Sequence, residues 1–378
     1  MATFSVFDTQ MMSRAIQLAR LGQYTTRPNP CVGCVLVLNG KIIGEGYHHK
    51  AGQGHAEVNA IADAKAKNHS IKGATAYVTL EPCSHYGRTP PCAEGLIKAE
   101  VARVVVAITD ANPQVAGNGI NMLKRAGIEV EVGLLEEEAL TLNLGFMKRM
   151  QTQMPWVSVK VAASLDGKTA LSNGVSKWIT TTAARKDVQK MRAKHCAVIT
   201  GVDTVIADNP SLNVRFDELG SVKHSHDEAD IFQPLRVVLD SNCRVTPEYQ
   251  LFQINSPILL VSTKDYPAQI KQQFPAHVSF LQTTTDAQGR VCLKTLLLHL
   301  GQSCNSVMVE AGATLSGSII SQQLADELVL YQAPKILGSE GRNMLNLPDY
   351  QTMENLPNLT LKDKRNVGHD TRFMFRLG

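Results

Sequence analysis

The chain has 378 residues, of which 44% are hydrophobic and 19% are charged. A chain of this length exceeds what one hydrophobic core usually supports, so we expect two domains. The composition is that of a globular protein and excludes a disordered chain, a collagen or a small disulfide scaffold. Its 38 basic and 34 acidic residues give a net charge of +4, which argues against a general nucleic-acid binder.

No part of the sequence predicts export or membrane insertion. The first residues lack the basic segment and long apolar stretch of a secretory signal. No apolar run approaches the roughly 18 residues that a membrane-spanning helix requires. Eight unevenly spaced cysteines in a chain of this length indicate a reducing compartment. We therefore expect a cytoplasmic protein without a membrane partner.

The first half of the chain alternates strands and helices after an initial hairpin. Asp8 is the predicted N-cap of the first helix, which Gly22 ends. Two apolar segments flank Asn39-Gly40, which predicts a hairpin with a primed turn. Further strands are expected over 74–80, 101–108 and 128–132, and helices over 55–66, 92–99, 118–127 and 136–149. This alternation predicts an α/β domain with a mixed sheet and helices on its faces.

A domain junction is predicted between Arg149 and Pro155, where apolar periodicity lapses and a proline precedes a new strand. We therefore expect one domain over 1–149 and a second α/β domain over 150–378. The polar stretch 216–232 predicts an exposed loop, and a metal site at His224 and His226 is the less favoured alternative. Strands are predicted over 156–162, 197–200, 235–239, 258–262, 307–310 and 327–331, and helices over 183–194, 293–300 and 313–324.

Three residues of the first half suit a catalytic zinc ion. His55, Cys83 and Cys92 supply one imidazole and two thiolates, which leaves the fourth tetrahedral position for water. Glu57 lies two residues after His55, at a helix start, where its carboxylate can take a proton from water and pass it to a leaving amine. The alternative is a buried histidine, a helix-start glutamate and two core cysteines that never meet.

The His-x-Glu and Pro-Cys elements resemble the signature of zinc nucleobase deaminases. That signature has two residues between its cysteines, whereas eight separate Cys83 from Cys92. The longer segment places His85 and Arg88 near the predicted metal, where a specialised substrate pocket can form.

A second cysteine pair and a rigid loop lie upstream. Cys31 and Cys34 have the spacing of half a structural zinc site or of a redox pair, but no second pair completes a zinc ribbon. We interpret them as packing residues. The two prolines around Asn29 stiffen its loop, and its amide offers a donor and an acceptor to a base edge. An ordinary turn residue is the alternative for Asn29.

Together these segments resemble the deaminase half of the bifunctional riboflavin-biosynthesis deaminase–reductase family. In that family the two cysteines are separated by eight residues, as they are here. The resemblance implies a cytidine-deaminase-like α/β/α domain that binds one Zn²⁺ per chain. The segments that carry it are 26–30 (TRPNP), 44–48 (GEGYH), 55–57 (HAE), 79–85 (TLEPCSH) and 87–92 (GRTPPC).

The second half contains no G-x-G-x-x-G fingerprint. Residues 309–318 instead form a strand that ends in small residues before a helix, where exposed N–H groups can hold a phosphate. A simple turn is the alternative. In their order along the chain, the segments of this half resemble the reductase half of the same family, which has a dihydrofolate-reductase-like fold. They are 160–167 (KVAASLDG), 176–180 (SKWIT), 201–212 (GVDTVIADNPSL) and 309–318 (VEAGATLSGS).

The resemblance implies NADPH contacts and substrate contacts in this half. A pair of arginines suits a phosphate dianion, because planar guanidinium groups bind it in a bidentate manner. Implied NADPH contacts are Ala162, Trp178, Thr204, Asp208, Ser241, Gly312, Ala313, Thr314, Leu315, Ser316, Gly317 and Ser318. Implied contacts to the ribosyl phosphate substrate are Ser176, Arg192, Leu212, Arg215 and Glu310.

Two assignments in the second half stay open. Asp208 and Lys160 are both candidates for the proton donor of the reduction. Ser241 and Arg244, which follow the predicted strand over 235–239, favour a cofactor with a 2′-phosphate.

The resemblance implies two consecutive reactions on one phosphorylated pyrimidine. The first is hydrolytic deamination of 2,5-diamino-6-(5-phosphoribosylamino)pyrimidin-4(3H)-one. The second is NADPH-dependent reduction of the ribosyl group of 5-amino-6-(5-phosphoribosylamino)uracil to ribityl. The family also implies a homo-oligomer that acts on a small molecule.

Two alternatives remain. A tRNA or DNA base deaminase with an accessory domain would share the zinc site but needs a basic, aromatic surface. A non-catalytic structural zinc protein would bind zinc with no open coordination position.

Overall fold

The computed structural model describes residues 4–86, 90–113 and 116–378. Arg88, expected near the metal site, lies outside these residues. The chain divides into two compact units, Met1–Gln153 and Met154–Gly378. Within the described ranges, no helix combines the length and the apolar character needed to cross a membrane.

The first unit is built from five helices and five strands in its described part. Its strands are β1 (Gly33–Leu38), β2 (Lys41–Tyr47), β3 (Thr75–Val78), β4 (Arg103–Val106) and β5 (Glu129–Val132). Its helices are α1 (Val6–Leu21), α2 (Ala56–Ala66), α3 (Cys92–Lys98), α4 (Asn118–Arg125) and α5 (Glu136–Thr152).

The five strands form one mixed sheet in the order β2-β1-β3-β4-β5. β1 pairs antiparallel with β2 and β3, whereas β3, β4 and β5 run parallel. The hairpin prediction is confirmed, and Asn39 and Gly40 both have positive φ (51° and 72°), as a type I′ turn requires. One apolar cluster packs α2 and α3 on one face of the sheet, and another packs α1 on the opposite face. The predicted mixed sheet with helices on its faces is confirmed.

The first helix begins earlier than predicted. Ser5, not Asp8, is the N-cap, and the Ser5 hydroxyl accepts a hydrogen bond from the Asp8 amide at 3.0 Å. The Asp8 carboxylate accepts from the Ser5 amide at 2.9 Å and closes a capping box. The same carboxylate accepts from Tyr77 Oη at 2.7 Å and from Arg103 Nη1 at 2.6 Å. Asp8 therefore joins α1 to two strands, a tertiary role that its position in the sequence does not reveal.

Replacing Asp8 with asparagine is expected to lower the free energy of unfolding at pH 7 by about 2–3 kcal/mol, because the variant leaves Arg103 with a weaker partner. Burial alone would raise the pKa of Asp8, but hydrogen bonds from Arg103, Ser5 and Tyr77 hold it well below its usual range. This stabilisation is complete above the unfolded-state pKa of about 4 and is lost as the pH falls towards the folded-state value. Urea unfolding of both proteins at pH 7 and pH 3 measures the difference.

The matched control for Asp8→Asn is Glu100→Gln, which removes an exposed ion pair with Lys72 in the same unit. We expect this control to leave stability nearly unchanged, because solvent screens so exposed an ion pair. An Asp8→Asn effect of the same size at both pH values would contradict the assigned ion pair.

The second unit contains a larger sheet. Its strands are β6 (Trp156–Ser164), β7 (Lys168–Ala170), β8 (Ala197–Gly201), β9 (Leu235–Leu239), β10 (Ile258–Ser262), β11 (Val278–Gln282), β12 (Ser306–Val309), β13 (Glu327–Ala333), β14 (Arg342–Asn343), β15 (Leu359–Val367) and β16 (Asp370–Leu377). Its helices are α6 (Thr182–Lys194), α7 (Val202–Asp208), α8 (Gln250–Gln253), α9 (Ala268–Lys271), α10 (Leu293–Gly301) and α11 (Ala313–Ser321).

Nine of these strands form one sheet in the order β11-β10-β9-β8-β12-β6-β13-β16-β15. The strands from β11 to β13 run parallel, and β16 and β15 add an antiparallel hairpin at one edge. The sequence analysis did not predict this hairpin, because most side chains of β15 are exposed and give no clear alternation. β7 and β14 form a separate two-stranded ribbon.

The stretch 216–232 is a loop with three short 3₁₀ turns, Phe216–Glu218, Gly220–His224 and Glu228–Asp230. Three apolar side chains, Leu219, Val222 and Ile231, are buried and anchor it. Within the described ranges, the single cluster of three or more potential metal ligands lies elsewhere and includes neither His224 nor His226.

Candidate active sites

Three side chains of the first unit converge as a metal site requires. His55 is the N-cap of α2, Cys83 lies in the segment after β3, and Cys92 is the first residue of α3. His55 Nδ1 lies 3.2 Å from Cys92 Sγ and 3.6 Å from Cys83 Sγ. The three ligand atoms all lie within 4.8 Å of one another. One nitrogen and two sulfurs at this spacing fit a zinc ion with one open coordination position.

Local hydrogen bonds prepare Cys83 for zinc. The Cys92 amide donates to Cys83 Sγ at 3.3 Å. Hydrogen bonds from Cys92 and His55 lower the pKa of Cys83 well below its usual range. Cys83 is therefore a thiolate, the form that binds zinc.

A buried carboxylate anchors the segment that carries Cys83. Glu81 is 3% exposed, and its two oxygens accept hydrogen bonds from four backbone amides. The partners are Asp110 N at 3.2 Å, Gly117 N at 2.9 Å, Gly119 N at 3.0 Å and Ile120 N at 3.3 Å. A Cβ at Gly119 would lie 1.9 Å from the Pro82 carbonyl oxygen, so only glycine permits this approach. Glu81 thereby ties the Cys83 segment to the start of α4.

Glu57 lies in the first turn of α2 and is only 3% exposed. Burial raises the pKa of Glu57 to about 7, and the Cys83 thiolate adds to the rise. Its place two residues after His55 puts this buried carboxyl group where it can exchange a proton with water at the candidate metal site.

Asn29 is oriented by a buried histidine. Burial lowers the pKa of His48, so its imidazole is neutral. His48 Nδ1 lies 3.1 Å from the Gly54 carbonyl oxygen and carries the proton, which leaves Nε2 to accept from Asn29 Nδ2 at 3.0 Å. The His48 ring also meets the His55 ring edge to face, with centroids 5.3 Å apart. The Asn29 side chain is thus fixed close to the metal-ligating histidine.

Helix α5 supports the Asn29 loop from the other side. Asn143 is buried at a kink in α5, where its backbone leaves the helical region (φ −124°). Its side chain accepts from the Cys31 amide and donates to the Cys31 carbonyl, both at 2.8 Å. The sequence analysis missed this contact, because the two residues lie far apart in the chain and no local pattern connects them.

Two further features were predicted for this unit, the packing of Cys31 and Cys34 and a pocket near His85. Cys31 and Cys34 are buried, and Cys34 lies inside the apolar core on β1. His85 lines a cavity of about 390 Å³ beside Cys83, together with Ser84 and side chains of α4.

The second unit contains a cleft of about 1280 Å³. The cleft lies at the carboxyl ends of four adjacent parallel strands, β6, β12, β8 and β9, and residues at these ends line it. Ligands of open α/β sheets bind at this edge. All five implied substrate contacts (Ser176, Arg192, Leu212, Arg215 and Glu310) line this cleft. The implied cofactor contacts that line it are Ala162, Trp178, Thr204, Asp208, Ser241, Gly312, Ala313, Thr314, Leu315 and Ser318.

Two implied cofactor contacts do not line the cleft. Ser316 is fully buried and donates to the Ala311 carbonyl at 3.4 Å. Gly317 packs against the backbone of Asn346, where a Cβ would lie 2.0 Å from the carbonyl oxygen. Both residues shape α11 and its packing, and the resemblance alone could not separate this role from a ligand contact.

The predicted arginine pair is present at the cleft, but each arginine already has a carboxylate partner. Arg192 donates to Glu310 from Nε at 3.0 Å and from Nη2 at 2.9 Å. Arg215 forms the same two-pronged pair with Glu218, at 2.7 and 3.0 Å. Lys160 Nζ lies 3.6 Å from Glu310, so Glu310 holds two cations. Asp208, the other candidate proton donor, lies at the end of α7 and also lines the cleft.

A buried guanidinium supports one of the segments that line the cleft. Arg236 on β9 is fully buried and donates to the carbonyl groups of Ser211, Leu251, Ile254 and Ser256. Burial lowers the pKa of Arg236 to about 10, so the group remains charged at neutral pH. The bond to Ser211 holds the cleft-lining segment before Leu212.

Both halves of the chain match known families. Residues 5–108 match the cytidine and deoxycytidylate deaminase zinc-binding region, and residues 155–373 match the RibD C-terminal domain. The first match contains Glu57 and the cluster of three potential metal ligands, His55, Cys83 and Cys92. The second spans the whole cleft.

Full-length relatives carry both halves in one chain. The chain is 49% identical to riboflavin biosynthesis protein RibD of Haemophilus influenzae over 99% of both chains. It is 46% identical to the protein of that name from Escherichia coli, over 96% of this chain and 97% of the other.

Solved structures show the same architecture. A structure of Acinetobacter baumannii RibD superposes with a TM-score of 0.89 at 46% identity, over 98% of this chain and 99% of the other. A Thermotoga maritima diaminohydroxyphosphoribosylaminopyrimidine deaminase/5-amino-6-(5-phosphoribosylamino)uracil reductase has a TM-score of 0.85 at 32% identity, with the same coverage.

These likenesses confirm the fold class, enzyme class and cofactors expected from the sequence. The chain therefore belongs to the bifunctional RibD family of riboflavin biosynthesis, with a zinc-dependent deaminase in its N-terminal half and an NADPH-dependent reductase in its C-terminal half.

Proposed function

We propose that His55, Cys83 and Cys92 hold the zinc ion of the deaminase and that Glu57 moves the protons of the reaction. The convergence of the three ligands beside a buried glutamate is the observation that carries this assignment. We assign the deaminase to residues 1–149 and the reductase to residues 150–378. The substrate of the first step is the diaminopyrimidinone ribosyl phosphate that the family implies.

In the first step, the zinc ion supplies Lewis-acid activation of water. Glu57 accepts the proton that the water loses and returns it to the amine that leaves as ammonia. Asn29, held by His48, presents its amide to the pyrimidine edge and orients the ring.

In the second step, NADPH bound in the cleft would supply the hydride that reduces the ribosyl carbon. The cleft-lining residues of α11 and its preceding turn would hold the pyrophosphate through backbone N–H groups. A Cβ at Gly312 would meet only Thr204 Oγ1, at 3.9 Å, so the space before this helix is open enough for a phosphate. Ser176, Arg192 and Arg215 orient the ribosyl phosphate.

Purified protein is expected to release ammonia from the diaminopyrimidinone substrate without NADPH and to contain one zinc per chain. Cys83→Ser should lose most of the zinc and the ammonia release, because it removes a thiolate ligand. Ammonia detection and metal analysis by mass spectrometry measure both. Oxidation of NADPH with the uracil substrate should persist in this variant.

The matched control is Cys243→Ser, which changes a free cysteine of the second unit. It should retain zinc and ammonia release. Full zinc content and full activity in Cys83→Ser would refute the ligand assignment, and zinc without ammonia release in the wild type would favour a structural zinc protein.

Three further attributes follow from the family resemblance and are proposals. We propose that the chain acts on a small molecule rather than on nucleic acid or a membrane. We further propose that it forms a homo-oligomer and works in the cytoplasm. Salt-sensitive binding of RNA in a filter assay would revive the nucleic-acid alternative.

A further inference from the structure

The strand order of the second unit places four of the implied cofactor contacts in a row along one edge of the sheet. Ala162, Gly312, Thr204 and Ser241 lie on or just after β6, β12, β8 and β9, which are neighbours in that order. Three intervals of about 4.8 Å give a row of roughly 14 Å across the carboxyl ends of these strands. An extended dinucleotide therefore crosses four strands.

The direction of the cofactor follows from the substrate residues. Lys160 lies on β6, and Glu310 directly follows β12, so the reacting sugar lies at the β6 end of the row. The nicotinamide must adjoin that sugar, because hydride transfer is direct. The pyrophosphate then lies near Gly312, and the adenosine lies at the β9 end.

Two arginines line the cleft at this adenosine end. Arg244 follows β9 in the turn that begins at Ser241. Arg290 belongs to a different loop, which is fastened to the same turn because the Val291 amide donates to Ser241 Oγ at 3.2 Å. Asp286 Oδ1 accepts from the Gln288 and Arg290 amides, at 2.9 and 2.8 Å, and fixes the loop. Chain segments fifty residues apart thus place two guanidinium groups at one end of the cleft.

Both arginines are available to an anion. Their side chains are 46% and 45% exposed, and their ion pairs join Arg244 to Asp203 at 2.7 Å and Arg290 to Asp286 at 3.2 Å. The Arg244–Asp203 pair is exposed on both sides and contributes little free energy, so a phosphate dianion can displace it. The Asp286 side chain is 17% exposed, and a phosphate would share Arg290 with it. Guanidinium groups bind phosphate oxygens in a bidentate manner.

We propose that Arg290, together with Arg244, binds the 2′-phosphate of NADPH and sets the preference for NADPH over NADH. This inference rests on the proposed cofactor cleft. NADPH differs from NADH by this phosphate alone, so the two arginines act on cofactor choice and not on hydride transfer. Ser241 connects the two loops and keeps both guanidinium groups at the same end of the cleft.

The test is equilibrium binding of four nucleotides to the full-length protein and its variants. Calorimetric titration with NADPH, NADH, 2′,5′-ADP and 5′-AMP separates the 2′-phosphate from the rest of the cofactor. Arg290→Ala should raise the Kd for NADPH and 2′,5′-ADP by about 10- to 100-fold, as expected for hydrogen bonds to a charged group. The Kd for NADH and 5′-AMP should change by less than about twofold.

Two further variants complete the design. Arg290→Lys keeps the charge and should lose less affinity than Arg290→Ala. Arg365→Ala is the matched control, because Arg365 is an exposed arginine on β15 that pairs with Asp363 and does not line the cleft. It should leave all four constants unchanged.

Two results would overturn the inference. In the first, Arg290→Ala leaves NADPH binding unchanged. In the second, it weakens NADPH and NADH equally, which makes Arg290 a support for the loop. Failure of the wild type to bind NADPH and 2′,5′-ADP would instead refute the proposed cofactor cleft itself.

Discussion

Replacing Glu57 with glutamine is expected to reduce the rate of ammonia release by about 10²- to 10⁴-fold. This is the range for loss of a positioned general acid–base group. Glutamine preserves the size of the side chain but cannot accept the proton from water or return it to the amine. Because Glu57 does not belong to the ligand cluster of His55, Cys83 and Cys92, zinc content should stay at one per chain. Single-turnover ammonia release and metal analysis of the same preparation give the two readouts.

The reductase provides an internal control for Glu57→Gln. Oxidation of NADPH with the aminouracil ribosyl phosphate should match the wild type, since the cleft is lined by residues of the second unit alone. Glu100→Gln, an exposed glutamate of the first unit, should retain ammonia release. Ammonia release that survives Glu57→Gln would assign the proton transfer to another group.

The convergence of His55, Cys83 and Cys92 could be predicted from the sequence because its signal is local. His55 and Glu57 lie two residues apart at a helix start, and Cys83 follows a strand, so residue type and spacing together indicate the chemistry. Helix and strand positions were also largely predicted, because buried apolar residues repeat with the period of each element. Asp8 was assigned the wrong capping role, since its partners Tyr77 and Arg103 come from distant strands.

The supporting residues could not be predicted, because their partners are distant in sequence. Glu81 belongs to the motif that carries Cys83, yet two of its four amide partners come from the segment between β4 and α4 and two from the first turn of α4. Asn143 and Arg236 bind backbone groups, which leave no pattern in side-chain type. Arg290 lines the cleft on a loop that the Val291 amide joins to Ser241, fifty residues earlier in the chain.

Glu310→Gln is expected to destabilise the second unit by about 3–5 kcal/mol, because it leaves two cations without a countercharge in a largely buried site. The side chains of Glu310, Arg192 and Lys160 are only 18%, 9% and 15% exposed. For a unit of this size, each kcal/mol lowers the melting temperature by about 2–4 °C, so a drop of roughly 6–20 °C follows. NADPH oxidation should also fall at least about tenfold, since Arg192 loses the carboxylate that orients it.

The effect of Glu310→Gln should depend on pH. Burial alone would raise the pKa of Glu310, but Arg192 and Lys160 lower it to about 2. The stabilisation is therefore complete above the unfolded-state pKa of about 4.3 and is lost as the pH falls towards 2. The gap in stability between wild type and variant should be constant from pH 6 to 8 and narrow below about pH 4.

Glu218→Gln is the matched control for stability, because it breaks the same two-pronged pair in a more exposed setting. The side chains of Arg215 and Glu218 are 44% and 29% exposed, so this variant should cost less than about 1 kcal/mol. The two arginine–glutamate pairs differ in burial and in the second cation, Lys160, that Glu310 holds. Equal losses of stability in the two variants would show that the charge of Glu310 contributes no more than an ordinary surface ion pair. That result would refute the role of Glu310 in holding Arg192 and Lys160.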